Sequence, residues 1–348
     1  AGNQTIASMS LIAQSYQHMM ASVIKAPLPK GLNKEEVKIY KLEIKKVADK
    51  FKEQAIKNYE MTIAKAYEFE VYGKWVSATL NNLKNLHPEK VRGLDFKAYI
   101  TRLPDDLENK KGLSKAPVQD IEALYKAKGG ADEKQLVAAS AKILLKHPGD
   151  LYTLTTLSLH YYNKKYFGLS KIILNRIVEA FPKEPSVYNN LAVVNLAEGN
   201  FKKALFNFRQ SLKHNPDYQV ASANLGSIYI EYLDYKRAYA PLENGFRVVE
   251  GKLKNKDLSA FKVANNYAIA LYGKGELEKS KRLLKKLMDY GAREESIYIN
   301  YITLVVNYMD DSDDALKVIS KLKFISENQQ ILNKAKKLEE KIYEKDNK

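Results

Sequence analysis

The residues that could do acid–base or metal chemistry are few and scattered along the sequence. The chain has five histidines and no cysteine, so thiol catalysis, disulfides and cysteine-ligated zinc are excluded. His87, His147 and His214 lie just before prolines that end predicted helices, where a cation meets the helix dipole. His18 and His160 have no histidine or carboxylate three or four residues away. The histidines therefore predict neither a catalytic nor a metal site.

Two short motifs also fall short of a ligand site. The acidic run 310–314 resembles a calcium-binding loop, but it lacks the turn glycine and the glutamate at position twelve. We interpret it as a solvated turn with a helix N-cap. Gly129 and Gly130 are not followed by the residues of a phosphate-binding loop. No serine or threonine stands in a sequence motif that marks an activated nucleophile. The sequence thus predicts a protein that is not an enzyme and that uses no cofactor and no metal.

The elements that carry these residues follow a repeat of 34 residues. Four pairs share this spacing: Pro148 and Pro182, Pro182 and Pro216, Asn190 and Asn224, and Asn266 and Asn300. The gap between Asn224 and Asn266 is 42 residues, which is one repeat plus an insertion of eight, and we place that insertion around 251–257. Regular spacing of this length is typical of stacked supersecondary units.

Residues 185–218 give the clearest copy of the repeat. Apolar side chains recur there at helical spacing on both sides of Gly199, which permits a short turn. The small side chains of Ala192 and Ala204 let two antiparallel helices approach closely, and Pro216 ends the second helix. Neither helix can bury its apolar face alone, so neighbouring copies must stack.

This segment resembles the tetratricopeptide repeat along its whole length. Tyr188 stands at the family's first aromatic position, and Leu191 with Ala192 stands at its Leu-Gly pair. The resemblance implies an all-α fold, a right-handed superhelical solenoid of antiparallel helix pairs. It also implies a non-catalytic scaffold or adaptor that binds a protein or peptide partner.

The remaining sequence divides around that array. The predicted parts are an N-terminal helical region with a degenerate repeat at 1–90, an irregular connection at 91–116, a degenerate repeat at 117–150, five repeats at 151–329 and a capping helix at 330–348. Within the first two parts we expect helices at 7–24, 34–50, around 55–67, at 75–86 and a short one around 94–101. Asn33 is a predicted N-cap.

In the family, the first helix of each pair lines the concave face, where partners bind. The positions carried over by the resemblance form a predicted groove of Tyr152, Thr155, Leu159, Tyr162, Asn189, Asn190, Val193, Leu196, Asn224, Ser227, Ile230, Asn265, Asn266, Ile269, Tyr272 and Asn300. The family's clamp for a peptide carboxyl terminus needs lysine and asparagine where this chain has Thr155 and Leu159, so that mode is disfavoured.

The asparagines of the predicted groove have two interpretations. An asparagine side chain offers donors and an acceptor, so it can pair with the backbone of a bound peptide. Alternatively, the asparagines bond locally within the array. The apolar members of the set predict a strip flanked by amides, which suits an amphipathic helix or an apolar peptide.

The charge balance leaves a second class of function open. The formal net charge is +16, which can attract nucleic acid or another polyanion, or only keep the chain soluble. Basic clusters at 34–45 and 281–286 are either solvated helix faces or anionic docking surfaces. The alternative hypothesis is therefore a basic solenoid that binds RNA or another polyanion.

Residues 27–88 also resemble the leading region of tetratricopeptide proteins from predatory and gliding deltaproteobacteria, some of which are envelope lipoproteins. That resemblance implies a periplasmic or cell-envelope location within a motility assembly; the alternative is cytoplasmic. No apolar run reaches the roughly 18 residues of a membrane span. We expect membrane association only through a partner or through an N-terminal anchor that this sequence lacks.

Overall fold

The chain is described here by a computed structural model covering residues 2–102, 104–107, 114–130, 132–309 and 311–346. Across these ranges the structure is all-α, with sixteen α-helices, two 3₁₀ helices and no strand, which confirms the predicted fold class. Asp310, in the acidic run that resembles a calcium loop, lies outside the described residues, as do Leu103 and residues 108–113 of the predicted connection. The chain forms two compact units, Ala1–Phe96 with Tyr232–Asp234 and Lys97–Glu231 with Tyr235–Lys348.

The first unit is built on a long helical hairpin. It contains α1 (Gly2–Ile24), α2 (Lys34–Glu68), α3 (Lys74–Leu86) and a 3₁₀ helix at Pro88–Asp95. The predicted N-cap begins α2: the Asn33 side chain accepts the Glu36 N–H at 3.0 Å, and the Glu36 carboxylate accepts the Asn33 N–H at 2.8 Å. The prediction of separate helices at 34–50 and around 55–67 is wrong, because no glycine or proline interrupts this stretch and one buried face continues along it.

The second unit is an array of helix pairs. Its helices are α4 (Val118–Gly129), α5 (Glu133–Lys146), α6 (Leu151–Asn163), α7 (Phe167–Ala180), α8 (Pro185–Ala197), α9 (Phe201–His214), α10 (Gln219–Glu231), α11 (Tyr235–Val249), α12 (Leu258–Gly273), α13 (Leu277–Asp289), α14 (Glu295–Tyr308), α15 (Ser312–Ile325) and α16 (Gln329–Asp346). We call α6, α8, α10, α12 and α14 the inner helices, and α7, α9, α11, α13 and α15 the outer helices. Each inner helix packs against its own outer helix, and α16 packs against α14 and α15.

Close packing between inner and outer helices depends on small residues. A Cβ placed on Gly226 of α10 would come within 2.4 Å of the Leu242 side chain on α11, so only glycine fits there without displacement. The turn between α8 and α9 contains Gly199 at a φ of 75°, a conformation that glycine adopts without strain. These contacts hold each inner helix close to its outer helix, and α8, α10, α12 and α14 contact one another in turn to form the groove.

The insertion expected around 251–257 is a packed element. A 3₁₀ helix, Glu250–Asn255, follows α11 directly and packs against both α11 and α12. Its Leu253 side chain is fully buried, and Asp257 then caps α12 by accepting the Ala260 N–H at 2.9 Å. The extra residues therefore contribute their own apolar contact to the array.

Candidate peptide-binding groove

The predicted groove residues all lie on the inner helices and almost all of them are buried. Fourteen of the sixteen are buried, and Tyr162 and Tyr272 are partly exposed. By helix, α6 carries Tyr152, Thr155, Leu159 and Tyr162; α8 carries Asn189, Asn190, Val193 and Leu196; α10 carries Asn224, Ser227 and Ile230; α12 carries Asn265, Asn266, Ile269 and Tyr272; and α14 carries Asn300. We call the surface of the inner helices that carries these residues the inner groove.

An extended segment of the same chain occupies the inner groove. We call this segment, residues 97–102 and 104–107, the strap. The Asn300 side chain holds its first residue at both backbone groups: Oδ1 accepts the Lys97 N–H at 2.6 Å, and Nδ2 donates to the Lys97 carbonyl at 2.9 Å. The short helix expected around 94–101 is therefore wrong. The backbone groups that a helix would pair internally are taken by side chains of the array.

Two more asparagines repeat this arrangement along the strap. Asn266 accepts the Tyr99 N–H at 2.8 Å and donates to the Tyr99 carbonyl at 2.7 Å. Asn190 accepts the Asp105 N–H and donates to the Asp105 carbonyl, both at 2.7 Å. We call these three side chains, Asn190, Asn266 and Asn300, the backbone clamps. A primary amide matches a peptide unit's donor and acceptor, so each clamp satisfies both sides at once.

A serine takes the place of a clamp on α10. The Ser227 hydroxyl accepts the Thr101 N–H at 3.2 Å and lies 3.0 Å from the Thr101 carbonyl. Lys97, Tyr99 and Thr101 thus engage α14, α12 and α10 in turn. Alternate residues of an extended chain face the same side, so a step of two residues along the strap matches a step of one repeat. The strap runs antiparallel to the order of the repeats.

The neighbouring asparagines tie the repeats to one another. Asn224 donates to the Asn189 side chain at 2.9 Å, and Asn300 donates to the Asn265 side chain at 2.9 Å. Both uses of asparagine that the sequence left open therefore occur, and Asn265 and Asn300 combine them. Asn190 and Asn266 grip the strap, and Asn189 accepts from the next repeat. Asn265 accepts from Asn300 and also donates to the Lys97 carbonyl at 3.1 Å.

The comparisons with known proteins agree with this repeat geometry. A family model of the tetratricopeptide repeat matches residues 185–218, which span α8, α9 and the turn that follows. Residues 185–218 are a tetratricopeptide repeat. The family resemblance expected from the sequence is confirmed. Members of this family are generally non-catalytic scaffolds for protein interaction.

Several solved structures are similar to this tetratricopeptide chain. YrrB, described as a tetratricopeptide protein with an unusual peptide-binding site, is 15% identical with a TM-score of 0.48, covering 57% of this chain and 98% of YrrB. MamA from Desulfovibrio magneticus RS-1 is 19% identical with a TM-score of 0.43, covering 51% and 94%. Yeast Tom70 is 13% identical with a TM-score of 0.45, covering 98% and 72%. No curated protein matches the sequence.

Side chains of the strap make specific contacts with the tetratricopeptide array. The Tyr99 hydroxyl accepts a hydrogen bond from Ser296, and the Lys262 ammonium lies 5.7 Å from the centre of the Tyr99 ring. Burial raises the Tyr99 pKa to about 12; the Ser296 hydrogen bond offsets part of the rise, and the nearby carboxylates of Glu294 and Glu295 add to it. The tyrosine is therefore held in its neutral form.

Charged contacts fix the remainder of the strap. Arg102 pairs with Glu231 at 3.1 Å, and the Tyr218 hydroxyl donates to the Asp105 carboxylate. Burial raises the pKa of Tyr218, and the Asp105 carboxylate raises it further. Burial also raises the pKa of Tyr162, an effect that the charge of Arg102 partly opposes. The acid Asp105 of the strap thus meets a hydroxyl donor, and the base Arg102 of the strap meets a carboxylate.

The apolar members of the inner groove do not form an open strip. Val193, Ile230 and Ile269 are at most 4% exposed. Tyr272 packs against Tyr308, with the two hydroxyls 2.7 Å apart. The predicted use of this strip by an amphipathic helix stays a prediction. The groups of this groove that bond the strap backbone are amides and a hydroxyl, which suit an extended chain.

Sequence reasoning missed the strap and the array side chains that contact its own side chains. The missed array residues are Lys128, Tyr218, Glu231, Lys262 and Ser296. None of them falls on the family positions used to predict the groove. A signal for the strap existed in Ile100 and Thr101, β-branched neighbours in a stretch without helical apolar spacing, which favour an extended chain.

Two further sequence hypotheses concern charge and metals. In the basic cluster 281–286, three of the four cations are paired: Lys281 with Asp311 at 2.7 Å, Lys285 with Asp314 at 3.3 Å and Lys286 with Glu250 at 2.9 Å. This pairing does not favour an anionic docking surface there.

Among the described residues, no group of three or more histidines and carboxylates is placed to hold a metal ion. None of the described helices is long and apolar enough to cross a membrane.

Proposed function

We propose that this tetratricopeptide protein is an adaptor whose inner groove grips an extended peptide of a partner protein by its backbone. The observation that carries the proposal is the set of backbone clamps, each bonded to both the N–H and the carbonyl of one extended residue. Every peptide has these groups, so the clamps can hold any extended sequence that fits. No catalytic step is part of this function.

The clamps are organised for this task before a peptide arrives. Asn300 is tied to Asn265 of the preceding repeat, and Asn189 bonds both Asn190 and Asn224. Because these side chains are already fixed, little rotamer freedom is lost when they bind a peptide. With the strap in place each of the three clamps is at most 1% exposed, so an occupant that covers the clamps must itself satisfy their donors and acceptors. An extended backbone satisfies both groups.

The test must first weaken the strap, because the strap fills the groove. We define the strap-weakened chain as the full chain with Tyr99→Ala and Asp105→Ala, which removes two side-chain contacts and leaves the clamps intact. Fluorescently labelled extended peptides of unrelated sequence are titrated against it by anisotropy. The matched control adds Asn190→Leu and Asn266→Leu, and circular dichroism confirms that both chains stay helical.

We expect the strap-weakened chain to bind several of these peptides and the clamp control to bind them at least about tenfold more weakly. Equal binding by the two helical chains would show that the peptides bind elsewhere. Binding of no peptide by the helical strap-weakened chain would contradict the proposed function. The periplasmic or envelope location and the motility assembly expected from residues 27–88 stay predictions.

A further inference from the structure

The strap shows what the inner groove can select beyond a peptide backbone. Its side chains meet side chains of the array at five positions: Tyr99 meets Ser296, Thr101 meets Ser227, Arg102 meets Glu231, Asp105 meets Tyr218 and Asp106 meets Lys128. The backbone clamps are indifferent to sequence, so any preference for a partner must come from these contacts. They lie at fixed distances along the strap, with Asp105 six residues after Tyr99.

The site around Tyr99 fits a neutral aromatic hydroxyl. Ser296 donates to the phenol oxygen, and Lys262 lies over the ring face, where a cation is attracted to the π-system. Glu294 and Glu295 lie close enough to raise the pKa of the phenol. An acidic side chain would be repelled by those carboxylates, and an aliphatic one would leave Ser296 without its acceptor. Tyrosine meets both requirements.

The site around Asp105 fits a carboxylate. The Tyr218 hydroxyl donates to the Asp105 side chain, and Lys128 bonds the next residue, Asp106, at 3.0 Å. Between the two sites, the Glu231 carboxylate accepts a hydrogen bond from the Arg102 guanidinium. The groove therefore presents an aromatic site at α12–α14 and an acid-binding site at α8–α10, in a fixed order along an antiparallel chain.

We infer, building on the proposed function, that the inner groove binds a partner segment in which tyrosine precedes aspartate or glutamate by six residues. The strap is the internal competitor for that segment. This assigns a sequence pattern to the partner and a regulatory role to the strap.

The strap's contacts with the array can be exchanged for those of another peptide. Lys97, Ile100 and Arg102 are exposed. The array bonds the backbone N–H groups of Lys97, Tyr99, Thr101 and Asp105, which any extended chain offers. The inner helices keep their own apolar contacts with the outer helices whichever chain fills the groove. A tethered occupant has a high effective concentration. A partner therefore binds with its intrinsic affinity multiplied by the fraction of chains in which the groove is open.

The experiment uses a labelled peptide with the sequence of residues 95–107, DFKAYITRLPDDL, titrated against full-length chains. The wild-type chain is compared with the strap-weakened chain. Two further peptides carry Tyr99→Ala or Asp105→Ala. A milder chain with Arg102→Glu places like charges beside Glu231, and Glu231→Arg added to it restores the pair with inverted charges. The Arg102→Glu chain and its charge-reversed form with Glu231→Arg keep the test valid if the strap-weakened chain folds poorly.

We expect the strap-weakened chain to bind the parent peptide at least about tenfold more tightly than wild type. The Arg102→Glu chain should shift in the same direction by a smaller factor, and the added Glu231→Arg should return the affinity toward the wild-type value. Each alanine peptide should bind the strap-weakened chain about tenfold more weakly than the parent.

Three results would overturn the inference. Equal binding of the parent peptide by the wild-type, strap-weakened and Arg102→Glu chains would show that the strap does not compete. Equal binding of the parent and alanine peptides, still lost with Asn190→Leu and Asn266→Leu, would refute the sequence pattern and leave the proposed function standing. Failure of every peptide, including those of unrelated sequence, to bind the helical chains would overturn both.

Discussion

Inner and outer helices of the array bury their residues in different ways. Of the thirteen residues of α8, ten are buried, whereas α9 buries only four of its fourteen. An outer helix has solvent along one side, so its sequence is amphipathic. An inner helix packs against its outer helix and the neighbouring inner helices, and it also faces the strap. A helix that is buried on nearly every side and still carries asparagine and serine indicates a polar partner on the buried face.

The largest effect we expect concerns α16, which covers the last inner helix. Its side chains Ile331, Leu338 and Ile342 are at most 8% exposed and lie against α14 and α15. Removing residues 329–348 should lower the free energy of unfolding by about 5 kcal/mol, since each large apolar side chain contributes about 1.5–3 kcal/mol. Thermal and urea unfolding of the truncated chain measure this loss.

A control chain that ends at Glu344 keeps those side chains and should unfold like the full chain. A chain without residues 329–348 that melts at the full-length temperature and stays monomeric would show that α16 is not a cap.

The next largest effect tests packing between the two classes of helix. Gly226→Ala on inner helix α10 would place a Cβ 2.4 Å from the Leu242 side chain, and we expect a loss of about 3 kcal/mol from overpacking. Gly168→Ala on outer helix α7 is the matched control, because a Cβ there meets no atom within 4 Å. The control should be neutral or stabilise by up to about 1 kcal/mol. Similar melting temperatures for the two variants would contradict the difference between inner and outer faces.

The outer helices could largely be predicted from sequence, and the groove only in part. Gly199 and Pro216 mark the limits of α9, because these signals act locally. The positions of Asn190, Asn266 and Asn300 followed from the repeat register. The strap could not be predicted, since its extended form depends on hydrogen bonds between residues 85 to 203 positions apart in the chain. Local propensity carries no information about such partners.

A smaller effect separates buried from exposed asparagines. Asn266→Leu removes both bonds to Tyr99 and leaves that residue's N–H and carbonyl without this partner. We expect a loss of about 2 kcal/mol in the free energy of unfolding. Asn175→Leu on outer helix α7 is the matched control, because Asn175 is exposed and such changes stay within about 0.5 kcal/mol. If urea unfolding gave the two variants equal stability, the Asn266 clamp would contribute nothing.

The smallest effect is a change of stability at alkaline pH. Burial raises the Tyr99 pKa from 10.0 to about 12, so the folded chain keeps a proton that the unfolded chain loses first. Stability from this group is therefore complete below pH 10 and falls as the pH rises toward 12. Tyr99→Phe should flatten the decrease and remove one late-titrating phenol from the ultraviolet absorbance titration. Loss of a phenol that titrates near pH 10, with the late part of the curve unchanged, would show that Tyr99 ionises like an exposed tyrosine.

Hydrogen exchange of the strap amides tests the central claim most directly, because the claim is that inner-helix asparagines hold an extended backbone. Amides of Lys97, Tyr99 and Asp105 donate to the clamps, so we predict that they exchange slowly in the full chain. Asn266→Leu should speed exchange at Tyr99 more than at Asp105. Exchange of all three amides at the rate of an unstructured chain would contradict the account.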